Sequence, residues 1–245
     1  MLSSSAPSRV VVALPEGVDP APCAWWSQVL SDGLGSKLHE LHVTRDDLCS
    51  AVAARAAHVD AALIVLPPVE RSLGRAVTSL VSTTRMPVLV ARNARSQGSN
   101  TIVAATDLQS TAYPVLRVAS TFERCLKLPV VTLHNVQPLS MVVGTGTMGL
   151  SSIILPPTPG RAQRLARLAR VSSRLFGDAQ PVLRDEASVA YAILDEAQRH
   201  DAALVVVGAR KRSWWERLLI GSIAEQIVEH AQHSVLVTPL DDPCS

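Results

Sequence analysis

The chain is short of lysine, of paired cysteines and of net charge, and each shortage closes off a class of function. Lys37, Lys127 and Lys211 are the only lysines, and the formal net charge over 245 residues is +2. An excess that small gives no electrostatic argument for nucleic acid as a partner. Cys23, Cys49, Cys125 and Cys244 are scattered, with no C-x-x-C pair and no histidine at metal-ligand spacing. They read as reduced cytosolic thiols, with neither a disulfide framework nor a metal site. The opening MLSSSAPSR lacks a basic stretch followed by a long apolar run, so no signal peptide is expected and the location reads as cytoplasmic. Nothing from Val136 to Gly160 is charged, which is about spanning length, but four prolines and four glycines interrupt it. A lipid-facing helix needs a longer unbroken apolar run than LSSIIL, so no membrane partner is expected.

What is present is a soluble composition, 47% apolar and 18% charged, and a repeat. DAALIVLP at 60–67 returns as DAALVVVG at 201–208, and PVLVAR at 87–92 as SVLVTP at 234–239. VVVA at 10–13 matches IVAA at 102–105, and LHV at 41–43 resembles LHNV at 133–136. Apolar runs this short are what strands buried on both faces look like, and helical patterns such as ASVAYAILDEAQRH at 187–200 lie between them. The alternation predicts an α/β fold with parallel sheets. RNARSQGSN at 92–100 reads as a linker, dividing the chain into 1–95 and 99–241. The offset between copies drifts from 92 to 141 to 147, so the second copy owns two insertions, of 49 and of six residues.

The larger insertion carries VVGTGTMG at 142–149, in which Gly144, Gly146 and Gly149 spell G-x-G-x-x-G. A dinucleotide fingerprint follows the first strand of its unit, opens a helix and has an acid about twenty residues on. Here Pro156–Pro157 cut the helix, no acid appears until Asp178, and the motif follows a second strand, so a glycine-rich mobile loop is expected. The same insertion is expected to hold a strand at 180–185. It also holds an amphipathic helix whose basic side is Arg161, Arg164, Arg167, Arg170 and Arg174, with Leu165, Leu168, Val171 and Leu175 opposite. That basic side is a solvated face or a docking surface for acidic partners.

The smaller insertion is the better candidate site. After the strand Leu204–Val207 comes GARKRSWWERLLIGSIAEQIVEH, in which Gly208 ends the strand and Gly221-Ser222 precede a helix with Ile223, Ile227 and Val228 on its apolar face. Small residues at a strand-to-helix turn uncover backbone N–H groups, and these with the helix N-terminus suit an anion. Arg210, Lys211, Arg212 and Arg217 against Glu216 make the loop basic. Ser222 serves equally as a plain capping residue.

The strand, the glycine-serine loop, IAEQIVEHAQ and the closing SVLV resemble the ATP-type universal stress proteins, whose motif is G-x2-G-x9-G-[S/T]. The resemblance covers 100–239, beginning at IVAATDL, and extends to 9–92 as a degenerate copy. It implies two Rossmann-like domains, with strand order 3-2-1-4-5 in the second and a shortened first. ATP, with or without Mg2+, would lie across the carboxyl ends of the strands; AMP or ADP are alternatives. By the resemblance Asp107 is the ribose acid, Ala105 and Thr106 border the adenine, and Asn135 or Val136 lies against the base. Val207 and Gly208 pass the sugar and phosphates, Arg210 and Lys211 sit in the phosphate loop, and Gly221, Ser222 and Ile223 supply amides and a hydroxyl. A cap for a helix beginning near Ser110 is the alternative role for Asp107. Lys211 departs from the motif, where glycine would admit positive φ and close approach of the ligand.

In 9–92, Pro15 stands opposite Asp107, Pro67 opposite Gly208 and Arg75 opposite Ser222, so no nucleotide is expected there. No catalytic residue is assigned, because no general base lies inside the motif; slow hydrolysis stays open. The expectation is therefore an ATP-binding regulatory protein of the stress response, against a nucleotide-free interaction module on the same fold. The apolar strands PVLVAR and SVLVTP are expected to be outer strands that pair the two halves within the chain, with a further homodimer open.

Overall fold

In the computed structural model of the chain, residues 8–68, 73–92, 100–109, 113–136, 140–144, 150–154, 160–210 and 222–240 are described; for 140–144, 150–154, Arg210 and Ser222 this extends to the backbone alone. The first half contains β1 (Arg9–Pro15), α1 (Ala21–Leu34), β2 (Lys37–Val43), α2 (Leu48–His58), β3 (Leu63–Leu66), α3 (Leu73–Thr84) and β4 (Val88–Val90). The second begins β5 (Thr101–Ala105), α4 (Pro114–Leu126), β6 (Val130–Asn135), β7 (Ser140–Gly144) and β8 (Leu150–Ile154). It continues α5 (Arg161–Leu175), β9 (Ala179–Arg184), α6 (Val189–Arg199), β10 (Ala202–Arg210), α7 (Ser222–His230) and β11 (Ser234–Leu240).

Nine strands form one sheet in the order β2-β1-β3-β4-β11-β10-β5-β6-β9, every neighbouring pair parallel except β4 with β11. Successive side chains on a strand point to opposite faces, and here both faces are covered. Val10, Val12, Leu63, Val65, Ile102 and Ala104 pack with Trp26 of α1, Leu116 of α4 and Val171 of α5. Val11, Ala13, Ile64, Leu66, Val103 and Val205 pack with Val52 of α2, Val77 of α3, Ile193 of α6 and Ile227 of α7. That is why the strands are near-continuous apolar runs in sequence.

Elements of the two halves meet in pairs. On one face α1 crosses α4, where a Cβ on Gly33 would lie 2.2 Å from Cys125 Sγ. In the sheet Leu89 of β4 stands opposite Leu236 of β11. On the other face α3 crosses α7, with Thr78 Oγ1 3.0 Å from Glu225 Oε1, residues 147 apart. Cys125 follows Gly33 by the repeat offset of 92, and Leu236 follows Leu89 by 147. All three contacts thus join equivalent positions and mark an approximate two-fold axis through the sheet. Beside it Trp26 is fully buried, edge-on to Phe122 at 6.0 Å, and its Nε1–H donates to Ser234 Oγ at 3.0 Å.

Two local expectations change. The glycine-rich segment does not form a loop throughout: β7 and β8 make a separate antiparallel ribbon, with Gly144 at its end, while Gly146 and Gly149 lie outside the described residues. β10 does not stop at Gly208 but runs on to Arg210, because β11 extends equally far and pairs Gly208 with Thr238 and Arg210 with Leu240. Among the described residues no helix is long and apolar enough to cross a membrane, and no group of His, Cys, Asp and Glu could hold a metal. Cys23, Cys49 and Cys125 are free thiols, and Cys244 lies outside the described residues.

Candidate functional site

The carboxyl edge of the second half gathers the turns after β5, β6 and β10 and the beginning of α7. β5 lies between β6 and β10, so the chain departs from it to both sides. Such a reversal leaves a crevice where connections diverge, the usual ligand position in open α/β sheets.

The turn after β5 is built by its own polar groups. Thr106 N–H extends the ladder to the Leu133 carbonyl at 2.8 Å, and Thr106 Oγ1 accepts from Leu108 N–H at 3.2 Å. Asp107 Oδ1 accepts from Gln109 N–H at 2.9 Å, and Leu108, held at φ +59°, is buried and anchors the turn. Asp107 is exposed. Among the described residues α4 starts at Pro114, and Asp107 Oδ1 accepts within its own turn.

The end of β6 adds a residue that the sequence did not single out. His134 is buried, and its Nδ1–H donates to the Thr106 carbonyl at 2.8 Å, which leaves Nε2 as an acceptor in the neutral ring. Burial pulls its pKa below the ordinary imidazole value; Arg164 and Arg167 of α5 add to the fall, and the Thr106 carbonyl and Asp107 oppose it. Those influences put two guanidiniums and one carboxylate within electrostatic reach of one crevice. The signal available beforehand was position: His134 directly precedes Asn135 at a strand's carboxyl end. Arg167 is further held by Tyr113, whose hydroxyl it meets at 3.2 Å.

The side chain of Asn135 is engaged within the protein. Its Nδ2–H donates to the Glu186 carbonyl at 2.9 Å while its Oδ1 accepts from Glu186 N–H at 3.0 Å, so the carboxamide ties β6 to the turn after β9. Val136 is buried and its N–H donates to the Arg184 carbonyl at 2.8 Å. Arg184 in turn pairs with Asp195 and with Glu196 at 3.3 Å, bracing β9 against α6.

In β10, Val207 is buried in the core. Gly208 packs against Leu240, whose side chain would have to shift for a Cβ there, 2.7 Å away. Lys211 and Gly221 lie outside the described residues. Ser222 opens α7, and Ile223 is 41% exposed, off the buried face formed by Ala224, Ile227 and Val228. The structure therefore brings Ala105, Thr106, Asp107, Gly208, Ser222 and Ile223 to one edge and withdraws the side chains of Asn135 and Val136 into support.

The Universal stress protein family model matches residues 98–239. No curated protein matches the chain. Among solved structures, a protein from Pseudomonas aeruginosa UCBPP-PA14 described as a universal stress protein aligns at TM-score 0.68 and 18% identity, over 96% of this chain and 94% of that one. A functionally unknown protein from Pseudomonas aeruginosa PAO1 aligns at TM-score 0.64 and 18% identity, over 98% and 94%. A universal stress protein from Archaeoglobus fulgidus DSM 4304 aligns at TM-score 0.57 and 11% identity, over 98% and 88%. At these identities the likeness is one of fold.

Proposed function

The chain belongs to the universal stress protein family, and from that premise we propose that it is an ATP-binding regulatory protein whose nucleotide is held by the second half alone. The observation that carries the reading is the crevice beside β5, where the exposed carboxylate of Asp107 and the opening turn of α7 share one edge. The residues suit an adenine nucleotide in chemistry. Asp107 would accept from the ribose hydroxyls, Ala105 and Thr106 would border the adenine, and the amides at Gly221, Ser222 and Ile223 with Arg210 and Lys211 would meet the phosphates. The positive field that Arg164 and Arg167 exert at His134 favours an anion in the same place.

Binding, not catalysis, is the proposed activity. The two copies act as a tandem pair of Rossmann-like domains, 1–95 and 99–241, in the cytoplasm, with the first serving as the second's structural partner. Their apolar edge strands are occupied by each other, which favours a monomer over the further homodimer. A second reading, a nucleotide-free interaction module, is favoured by Gly208, whose missing side chain is accounted for by Leu240.

Denaturing the purified protein and chromatographing the supernatant tests the choice: released adenine nucleotide supports the first reading. Calorimetric titration of ATP is expected to give one site per chain, lost in Asp107→Ala and weakened in Lys211→Glu. Equal, negligible binding in wild type and Lys211→Glu defeats the proposal, and two sites per chain defeat its restriction to the second half.

A further inference from the structure

The corresponding edge of the first half holds a cavity of about 370 Å³, lined by Gly17, Val18, Asp19, Arg45, Arg92 and Gln232 among others. These residues follow β1, β2 and β4 and precede β11, and Pro68, which follows β3, completes the ring. With β1 between β2 and β3, the cavity sits at the first half's own chain reversal. Its volume is that of a small-molecule site.

The chemistry differs from that of a nucleotide cradle. α1 begins with Pro20 at its N-cap and Pro22 in its first turn, and the intervening Ala21 N–H is taken by Asp19 Oδ1 at 3.0 Å. Few amide hydrogens remain to wrap a phosphate chain. Charge comes from guanidiniums instead. Arg92 is half-buried, its Nη2–H donates to the Val228 carbonyl, and its Nε is buried without a hydrogen-bond partner. No carboxylate pairs with Arg92 among the described residues. Nε is closed off from the cavity, so what Arg92 offers a ligand there is the charge of its half-buried guanidinium, which an anion in the cavity would compensate. Arg45 stands exposed, its Nη2 3.4 Å from the Gly17 carbonyl, and Gly17 at φ +71° keeps the space before it clear of side chain.

We propose that this cavity binds a small dianion, a phosphomonoester or a dicarboxylate, gripped by Arg92 within and Arg45 at the mouth. Two arginines provide planar, forked donors that match either group. Asp19, its carboxylate engaged by the α1 amide, sets a limit on ligand charge and disfavours a triphosphate. Apart from Gln232 the lining comes from the first half, and the cavity lies away from Asp107 and Ser222, so its occupancy is read separately from nucleotide in the second half.

Calorimetry with inorganic phosphate and with succinate, on the full chain, tests it. One of the two is expected to bind wild type, identifying which class fits, and Arg45→Gln and Arg92→Met are each expected to weaken it about tenfold or more. Arg45 is exposed, so its variant folds regardless of the role of Arg92 in packing. No heat from either probe at millimolar concentration overturns the proposal. So does equal affinity in wild type and Arg45→Gln, which would place the anion elsewhere.

Discussion

Replacing Gly74 with alanine probes the packing of the two halves through the sign of the result. Gly74 lies buried in the first turn of α3, where α7 crosses. A Cβ added there falls 2.6 Å from the Glu225 carbonyl oxygen and 2.8 Å from its Cα. Both are backbone atoms, so the clash can be relieved only by moving one helix off the other, which also loosens the Thr78–Glu225 contact. Overpacking of this kind costs about 1–3 kcal/mol. Alanine's better helix propensity returns at most about 1 kcal/mol in a helix interior and less in a first turn, leaving a net loss of up to about 2–3 kcal/mol. On an α3 with nothing against it, the same change would stabilise the protein. Urea denaturation followed by far-UV circular dichroism separates the cases: the midpoint should fall with its slope unchanged. A midpoint at or above wild type would refute the α3–α7 contact. Gly33→Ala gives the complementary result, because its obstacle is the Cys125 side chain 2.2 Å away. Removing that side chain in a Gly33→Ala/Cys125→Ala double variant should recover most of the single variant's loss.

Further outcomes follow from buried polar groups. Burial lowers the folded-state pKa of His134 and, chiefly for the same reason, of His233. As pH falls through the unfolded value near 6.5, the unfolded chain therefore takes up protons that the native state refuses, and stability declines by up to about 1.4 kcal/mol per pH unit per histidine. His134→Gln should flatten the decline in urea midpoint between pH 7 and pH 5, and an unchanged slope would contradict it. Asn135→Ala strands both backbone groups of Glu186 and should cost about 1–3 kcal/mol by thermal melting, far more than a base-contacting residue would. Burial, helped by Asp19, raises the Cys23 thiol to about 12. Iodoacetamide at pH 8 should leave the Cys23 peptide unmodified until denaturant is added, as read by mass spectrometry.

The parallel α/β architecture was readable because its strands are buried on both faces and so stand out as short Val, Leu and Ile runs between helical periods. What a repeat does not encode is which surfaces meet: Gly33 and Cys125 are unremarkable letters until α1 is laid on α4. The ribbon β7–β8 went unread because its alternation is weak and glycines border it, features shared with loops. The strand end before Asp107 and the helix start at Ser222 could be placed on one edge from the order of the elements. The bonds of Asn135 to Glu186 were not legible, because an amide that completes a backbone ladder and one that awaits a ligand have the same letter. His134 was passed over for the converse reason: its importance lies in the Thr106 carbonyl beneath it, 28 residues away in sequence.

The near-symmetry of the molecule has a consequence for what can lie on its axis. In a dimer of identical chains, a residue at the dyad meets only its own copy, so Glu225 would confront another glutamate and Gly33 an empty space opposite a second glycine. Joining both copies in one polypeptide lifts that rule. Hydroxyl can be matched to carboxylate, and thiol to a notch of its own size, at points where a symmetric assembly must settle for like against like.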